Sequence, residues 1–248
     1  VIITRNEAHI IGKTLQSLQG ITDDIVVVDS GSTDATVSIC KGLNARVIET
    51  GWEGYGANKN KGIEAAKYDW ILNLDADEAI DETLKASIGR LKLQDVNEVF
   101  EMQYKNFFLD KWIRHGEGGS DKHIRMFNRT QVKWNEAAVH EKLIIGPHSI
   151  IVTVKGHILH YTVHSRAEYK QKTIAYARLN AQKYFEQGKK SQWLRQYLSP
   201  VFSFLHNYFI RLGFLDGLEG FLIARTTARY TYLKYTFLNK MIKKEKER

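Results

Sequence analysis

The chain is poor in cysteine and proline: 248 residues hold one cysteine, Cys40, and two prolines. A single thiol excludes an intramolecular disulfide and any zinc site built from cysteines, and it suits a reducing compartment. Two prolines beside 18 glycines exclude a collagenous or low-complexity chain. Long apolar runs are also missing. The longest stretch without Lys, Arg, Asp or Glu is Gln196 to Ile210, fifteen residues interrupted by Pro200, His206 and Asn207. A membrane span needs ~20 apolar residues, so this stretch is too short. The glycine-rich dinucleotide fingerprint and the phosphate-binding P-loop are both absent, as are RRM, KH and helix-turn-helix signatures. The first residue is Val1, already within an apolar run, as expected of a sequence that begins inside a longer one, so the lack of a leader excludes nothing.

What is present is core and charge. The chain is 43% hydrophobic, with five tryptophans, twelve tyrosines and eleven phenylalanines, enough buried surface to oppose chain entropy. The net charge of +8 is unevenly spread. Residues 166–248 carry 17 Lys/Arg against 6 Asp/Glu, and residues 1–165 carry 19 against 22. Two regions are therefore expected: a slightly acidic 1–165 and a basic, aromatic-rich 166–248 whose partner is anionic.

Along 1–165, β-branched runs alternate with helical patterns. Strands are expected at Val1–Thr4, Ile25–Val28, Ala45–Glu49 and Trp70–Leu74, with helices over 8–18, 35–43 and 58–67 between them. That order implies parallel βαβ units, an α/β domain with both sheet faces covered. Further strands are expected at Val99–Tyr104, His123–Phe127 and Ile150–His160. From the capping-box spacing Ser165-Arg-Ala-Glu168 the chain reads as helical to its end, with a break or kink at Pro200. Tyr169, Thr173, Tyr176, Asn180 and Tyr184 share one face of the first of these helices.

The strongest local feature is Leu74-Asp75-Ala76-Asp77-Glu78, where an apolar strand ends in three carboxylates. Open α/β sheets bind ligands at the carboxyl ends of their strands. Like charge collected there calls for a cation, and Asp-x-Asp suits Mg²⁺ or Mn²⁺ bridging a diphosphate. A solvated loop leading to a helix cap at Asp81 is the plainer alternative. An EF-hand is excluded by Ala79, Ile80 and Ala86 at its required positions. A second acidic strand end, Asp29-Ser-Gly-Ser-Thr-Asp34, can accept hydrogen bonds from a ribose or a base.

Val1-Ile-Ile-Thr-Arg-Asn-Glu7, Val26-Val-Val-Asp-Ser-Gly-Ser-Thr-Asp-Ala-Thr36 and Asp69-Trp-Ile-Leu-Asn-Leu-Asp-Ala-Asp-Glu78 together resemble the inverting family-two glycosyltransferases of GT-A fold. Gly51-Trp-Glu-Gly-Tyr-Gly56, Arg125-Met-Phe127, Val139-His-Glu141, Leu159-His-Tyr161 and Leu212-Gly-Phe-Leu-Asp-Gly217 are similar to the branch that adds glucose in β-1,4 linkage to lipopolysaccharide inner core. The resemblance covers nearly the whole chain. It implies a mostly parallel, helix-flanked catalytic sheet over 1–165 and a helical C-terminal extension for membrane association and acceptor binding. It further implies an inverting hexosyl transfer from a nucleotide sugar, UDP-glucose in that branch, to a lipid-linked saccharide acceptor. The place implied is the cytoplasmic face of a bacterial membrane, with an anionic lipid surface and no nucleic acid as partner.

The resemblance also assigns residues. Thr4, Asn6 and Glu7 would line the nucleotide pocket, and Asp29 would contact base or ribose. Asp75 and Asp77 would be the Asp-x-Asp pair, with Asp77 the direct ligand of Mg²⁺ or Mn²⁺ and His160 a further ligand of metal or diphosphate. Gly118 and Gly119 would form a loop near donor and acceptor, and Glu141 would be the general base. Glu78 and Asp121 compete for that last role. Arg125 is read either as a diphosphate partner or as one half of a structural ion pair. His157, His160 and His164 do not form one zinc site, since a strand sends His157 and His160 to opposite faces. His9 and Cys40 are read as structural.

Two other functions fit parts of the pattern. A sugar-phosphate nucleotidyltransferase uses a similar sheet and metal, but its glycine- and arginine-rich N-terminal loop is absent. A non-enzymatic basic module binding nucleic acid or lipid would account for residues 166–248 alone.

Overall fold

In the computed structural model the described residues are 1–119, 121–135, 141–190 and 193–247. The chain forms two compact units, Val1–Tyr104 with Asp121–His160 and Lys105–Ser120 with Tyr161–Arg248.

The first unit begins with the alternation that its β-branched runs require. Strands β1 (Ile2–Thr4), β2 (Val26–Asp29) and β3 (Arg46–Glu49) are separated by helices α1 (Ile11–Ser17) and α2 (Thr36–Gly42), and α3 (Tyr55–Ala65) follows. The run expected as one strand over Trp70–Leu74 divides into β4 (Trp70–Leu72) and β5 (Leu74–Asp75). Asn73 makes the break. Its N–H donates to Arg125 O at 2.8 Å, while its side-chain amide and the Leu74 N–H both donate to Val1 O at 3.0 Å. The chain thereby changes partner, and β5 joins β1 in a parallel sheet of order β3-β2-β1-β5. The register pairs Thr4 with Asp29 and Ile3 with Asp75, so the acidic strand ends share the carboxyl edge of the sheet.

Beyond four strands the sheet is no longer parallel. β6 (Glu78–Ile80), α4 (Glu82–Ile88), β7 (Glu98–Phe108), β8 (Lys111–Ile113), β9 (Lys122–Asn128), the hairpin β10 (Lys133–Trp134) with β11 (Leu143–Ile144), and β12 (Ile150–Val163) complete the strands. β4 and β9, β9 and β7, and β6 and β12 pair antiparallel in a second sheet of order β4-β9-β7-β12-β6. The Asp75–Glu78 turn therefore links the parallel sheet to the antiparallel one. Ile2, Ile11, Leu15, Val27, Leu74, Leu84, Phe100 and Ile158 form the main core beneath it.

Asp81 caps α4: its Oδ1 accepts from Leu84 N at 2.8 Å and from His157 N at 3.1 Å, and its Oδ2 faces His157 Nδ1 at 3.1 Å. Gly156, at φ +113°, permits this approach, because a Cβ there would stand 2.2 Å from Leu84 N. Burial alone would raise the Asp81 carboxyl, but the bonds from Leu84 and His157 outweigh it and hold the group below its ordinary value. A depressed folded pKa contributes stability above the unfolded value near 4 that is lost as pH falls through the folded value. Asp81→Ala is expected to cost about 1–2 kcal/mol at pH 7, with the gap from wild type closing below about pH 4, as read by urea unfolding. Burial also pushes the Cys40 thiol up to about 11, so it is an inert core group.

The second unit is dominated by α5 (Arg166–Glu186), α6 (Trp193–Leu205) and α7 (Gly217–Lys246), with α5 and α6 both packed on α7. Ser165 caps α5, accepting from Glu168 N at 3.1 Å as its spacing predicts. The buried stripe of α5 is Thr173, Ala177 and Ala181; Tyr176, expected on the same face as Thr173, is exposed. Small residues win that face because they allow close helix approach. Pro200 does not break the chain: α6 runs through it, secured on α7 by Gln196, which bonds Thr236 at 3.2 Å and Asn239 at 2.5 Å. The regular helix gives way at a π-helical turn, His206–Ile210. In the Leu212–Gly217 motif that follows, buried Asp216 accepts from the N–H groups of Arg114 and His115 at 3.1 and 2.8 Å, a fold-holding role.

Candidate active site

The carboxyl edge of the parallel sheet carries a dense polar cluster. Arg125, on β9, is 8% exposed and directs Nη2 to Glu78 Oε1 at 2.6 Å and to Asp75 Oδ2 at 3.2 Å, while its Nε donates to the Tyr104 hydroxyl. Glu78, 1% exposed, also accepts from Tyr104 Oη at 3.0 Å and from Asp75 N at 2.9 Å. Burial raises the Glu78 carboxyl above its ordinary value; Arg125 opposes this and the Asp75 charge adds to it. For Asp75 burial also acts upward, but Arg125 and Lys59 overcome it and hold the carboxyl well below the usual carboxylate range. Burial raises the Tyr104 hydroxyl, which stays neutral and serves as a hydrogen-bond relay.

Lys59, on α3, is the cation that sequence reading missed. It is 2% exposed, with Nζ 3.2 Å from Asp75 Oδ1, 3.1 Å from Glu141 Oε1 and 4.4 Å from the centre of the Trp134 ring. Two signals bear on it: Lys59 lies four residues before the buried Ile63, on the inward face of α3, and the segment's glycines mark a close approach. Lys59, Asp75, His123, Arg125, Trp134 and Glu141 line an open cavity of about 470 Å³. Two polar atoms of the lining have no hydrogen-bond partner among the described residues: Asp75 Oδ1, which Lys59 approaches without hydrogen-bond alignment, and Trp134 Nε1. Thr4 Oγ1, at the register position of Asp29 on the same sheet edge, is buried and unpartnered in the same way. Buried groups left open in this way are what a bound polar ligand would satisfy.

Asp77 and His160 complete the cluster, with Asp77 Oδ2 and His160 Nε2 3.5 Å apart and both side chains partly exposed. His160 stands opposite Glu78 in the β6–β12 register. Burial lowers the His160 pKa, but Asp77, Glu78 and Asp75 together lift it above its ordinary value. His157 turns instead to Asp81, so these two histidines serve different carboxylates.

The other expected site residues are placed less directly. The carboxylate of Asp29 is engaged by its own turn: Oδ2 accepts from Gly31 N at 3.0 Å and Ser32 N at 2.8 Å, and Oδ1 accepts from the Ser32 hydroxyl. Asn6 Oδ1 accepts from Thr33 N at 2.7 Å, and Glu7 N donates to Thr36 Oγ1 at 2.8 Å, so these residues lace the β1–α1 and β2–α2 loops together. Arg125 is ion-paired with Asp75 and Glu78 and also lines the cavity. Gly118 and Gly119 belong to the second unit, where Asn106 donates to their carbonyls at 3.3 and 3.2 Å. Of the three carboxylates weighed as general base, Glu78 is sealed behind Arg125 and Asp121 pairs with His123 at 2.8 Å on the surface; Glu141 lines the cavity. Val139 and His140, from the motif that precedes it, lie outside the described residues.

A parallel sheet with a carboxylate-bearing edge, continued by an antiparallel one, is the architecture of the GT-A fold. A solved mannosyltransferase of Pyrobaculum calidifontis, in complex with GDP-Man and Mn²⁺, shares this fold over 96% of this chain and 85% of its own, with TM-score 0.51 and 13% identity. The chain belongs to glycosyl transferase family 2, whose sequence pattern matches residues 1–141. It is 28% identical over 241 residues to the lipopolysaccharide core biosynthesis glycosyltransferase LpsC of Rhizobium meliloti (strain 1021), covering 94% of this chain and 88% of that one. An uncharacterized glycosyltransferase of Rickettsia bellii (strain RML369-C) is 27% identical over 258 residues, covering 97% of this chain and 85% of its own.

Proposed function

We propose that this glycosyltransferase moves a hexose, with inversion, from a nucleotide sugar to a lipid-linked saccharide acceptor, and that UDP-glucose and lipopolysaccharide inner core are donor and acceptor. The observation that carries the reading is the carboxylate cluster at the strand ends, with Asp75 beside a cavity that Glu141 also lines. Similarity to LpsC supports the choice of acceptor.

The cluster fits a hard divalent cation. Lys59 and Arg125 already neutralise Asp75, so Asp77 and His160 are the residues that would hold the ion, an oxygen and nitrogen pair suited to Mn²⁺ or Mg²⁺. When bound there, the ion would stabilise negative charge on the departing nucleoside diphosphate. Asp75 and Trp134 line the cavity in which the nucleotide sugar would sit, and Thr4 stands on the same sheet edge as Asp75. Glu141 accepts the proton of the acceptor hydroxyl as its oxygen attacks the anomeric carbon in line, and the C–O bond to the diphosphate breaks with the electron pair leaving on that oxygen. No enzyme-bound glycosyl intermediate forms, so the anomeric configuration inverts. Incubation with UDP-glucose, Mn²⁺ and a lipid-linked core saccharide is expected to give a β-linked glucosyl product and UDP; an α-linked product would overturn the inverting assignment.

The second unit supports a membrane-surface role. No helix among the described residues is long and apolar enough to cross a membrane. Trp193, Leu198, Phe202, Ile210 and Leu218 are nonetheless exposed, with Ile210 at 72% and Trp193 at 70%. Arg195 and Arg211 flank the apolar stretch, an arrangement suited to helices lying among headgroups, where each cation adds about 1 kcal/mol of attraction to anionic lipid. Phe202→Glu combined with Ile210→Glu is expected to abolish flotation with anionic liposomes at unchanged helix content. Flotation equal to wild type would exclude this face as the contact.

A further inference from the structure

Helix α3 presents Gly56, Lys59 and Asn60 on one face, at helical i, i+3 and i+4 spacing, and this face meets the β10–β11 hairpin. The Asn60 side chain donates to Trp134 O at 2.9 Å and accepts from Trp134 N at 3.1 Å, supplying both partners that a neighbouring strand would supply. Gly56 lies against the hairpin backbone so closely that a Cβ would stand 1.9 Å from Asn135 O and 3.6 Å from the Glu141 Cβ. Asn135 N donates to Lys142 O at 3.0 Å, and Lys142 N to Asn135 Oδ1 at 3.0 Å, which closes the ladder just inside Glu141. The backbone that carries Glu141 is therefore mounted on α3.

The side chain is mounted there as well. Lys59 Nζ donates to Glu141 Oε1 at 3.1 Å and stands 3.2 Å from Asp75 Oδ1. Burying an ammonium is costly unless its charge is met, and here two carboxylates from different parts of the chain meet it. The same ammonium thereby fixes the separation between the cavity carboxylate on the hairpin and the carboxylate on the sheet edge.

We propose that Lys59 is a positioning residue for proton abstraction, holding the Glu141 carboxylate at a set distance from the sheet edge where the donor sugar binds, with Asn60 holding the hairpin beneath it. The inference rests on the reading of Glu141 as general base. Misplacing a reacting group by about 1 Å can cost about 10²-fold in rate, so a tether of this kind has a measurable effect.

The test is a double-mutant cycle on the full chain, with turnover and UDP-glucose affinity in Mn²⁺ measured separately. Lys59→Met is expected to lower kcat about 10²-fold with donor Kd within about 3-fold of wild type, and Lys59→Arg to restore part of the rate. Lys59→Met combined with Glu141→Gln is expected to be no slower than Glu141→Gln alone, since a positioner has nothing left to position. Asn60→Ala, which leaves the ammonium and both carboxylates in place, is expected to lower kcat about 10-fold at unchanged donor Kd, and it carries the test should Lys59→Met fail to fold. Losses that add in the double variant, or a Lys59→Met effect confined to donor Kd, would overturn the role of Lys59 while leaving Glu141 as base. Near-normal turnover of Glu141→Gln would overturn the base assignment, and this inference with it.

Discussion

Glu141→Gln is expected to lower turnover at least ~10²-fold while nucleotide-sugar affinity stays within a few-fold of wild type. The amide keeps the size and hydrogen-bonding reach of the carboxylate but cannot accept a proton at neutral pH, so the loss falls on the chemical step. Glu141 is the carboxylate for which this split is expected, because the alternatives are engaged otherwise. Glu78 is enclosed by Arg125 and Tyr104, and Asp121 is exposed and paired with His123. Glu78→Gln should instead act through the fold: it breaks a buried ion pair and leaves the Arg125 charge partly unmatched, a destabilisation of about 3–5 kcal/mol visible in thermal unfolding. Rate loss at retained donor affinity for Glu141, and stability loss as the dominant effect for Glu78, would separate the two acids. Near-normal turnover of Glu141→Gln would transfer the base role elsewhere.

Asp77→Ala is expected to weaken Mn²⁺-dependent donor binding at least about 10²-fold, because it removes the carboxylate of the cluster that is not already neutralised by a protein cation. Asp75 has Lys59 and Arg125 beside it, whereas Asp77 is ion-paired with the titratable His160. The fold should tolerate the change, since the Asp77 side chain is partly exposed and caps no helix. Undiminished turnover of Asp77→Ala, insensitive to EDTA, would contradict metal binding at this turn.

The parallel half of the fold is legible because its strands are continuous β-branched runs and its helices follow turn residues. Val26-Val-Val-Asp29 is of this kind, and so is the acidic end after Leu74. The division of Trp70–Leu74 at Asn73 is not legible. Each half has strand character, and only the three-dimensional neighbours, β9 for one and β1 for the other, decide the partner. Lys59 is hidden by composition: Asn58-Lys-Asn-Lys61 resembles a solvated helix face, and its burial becomes evident only once Asp75 and Glu141 are brought to it from 16 and 82 residues away. Arg125 stands out in the sequence as a charge within an apolar strand, but its partners, Asp75 and Glu78, are not legible because they lie at the end of a different strand. The loop residues Asn6 and Asp29 carry site motifs, yet in the structure those polar atoms brace neighbouring loops, because short turns leave backbone N–H groups that a nearby side chain satisfies.

The net charge takes its meaning from this division. Acidic groups cluster where the strand ends gather Asp75, Asp77 and Glu78, while the basic residues concentrate in the helical second unit. The most direct test of the account is thermal unfolding of the full chain against a panel of nucleotide sugars, with Mn²⁺ and with EDTA. UDP-glucose in Mn²⁺ is expected to stabilise the chain, an effect that disappears with EDTA and in Asp77→Ala and persists in Glu141→Gln. Stabilisation by no nucleotide sugar, or stabilisation equal with and without the metal, would contradict it.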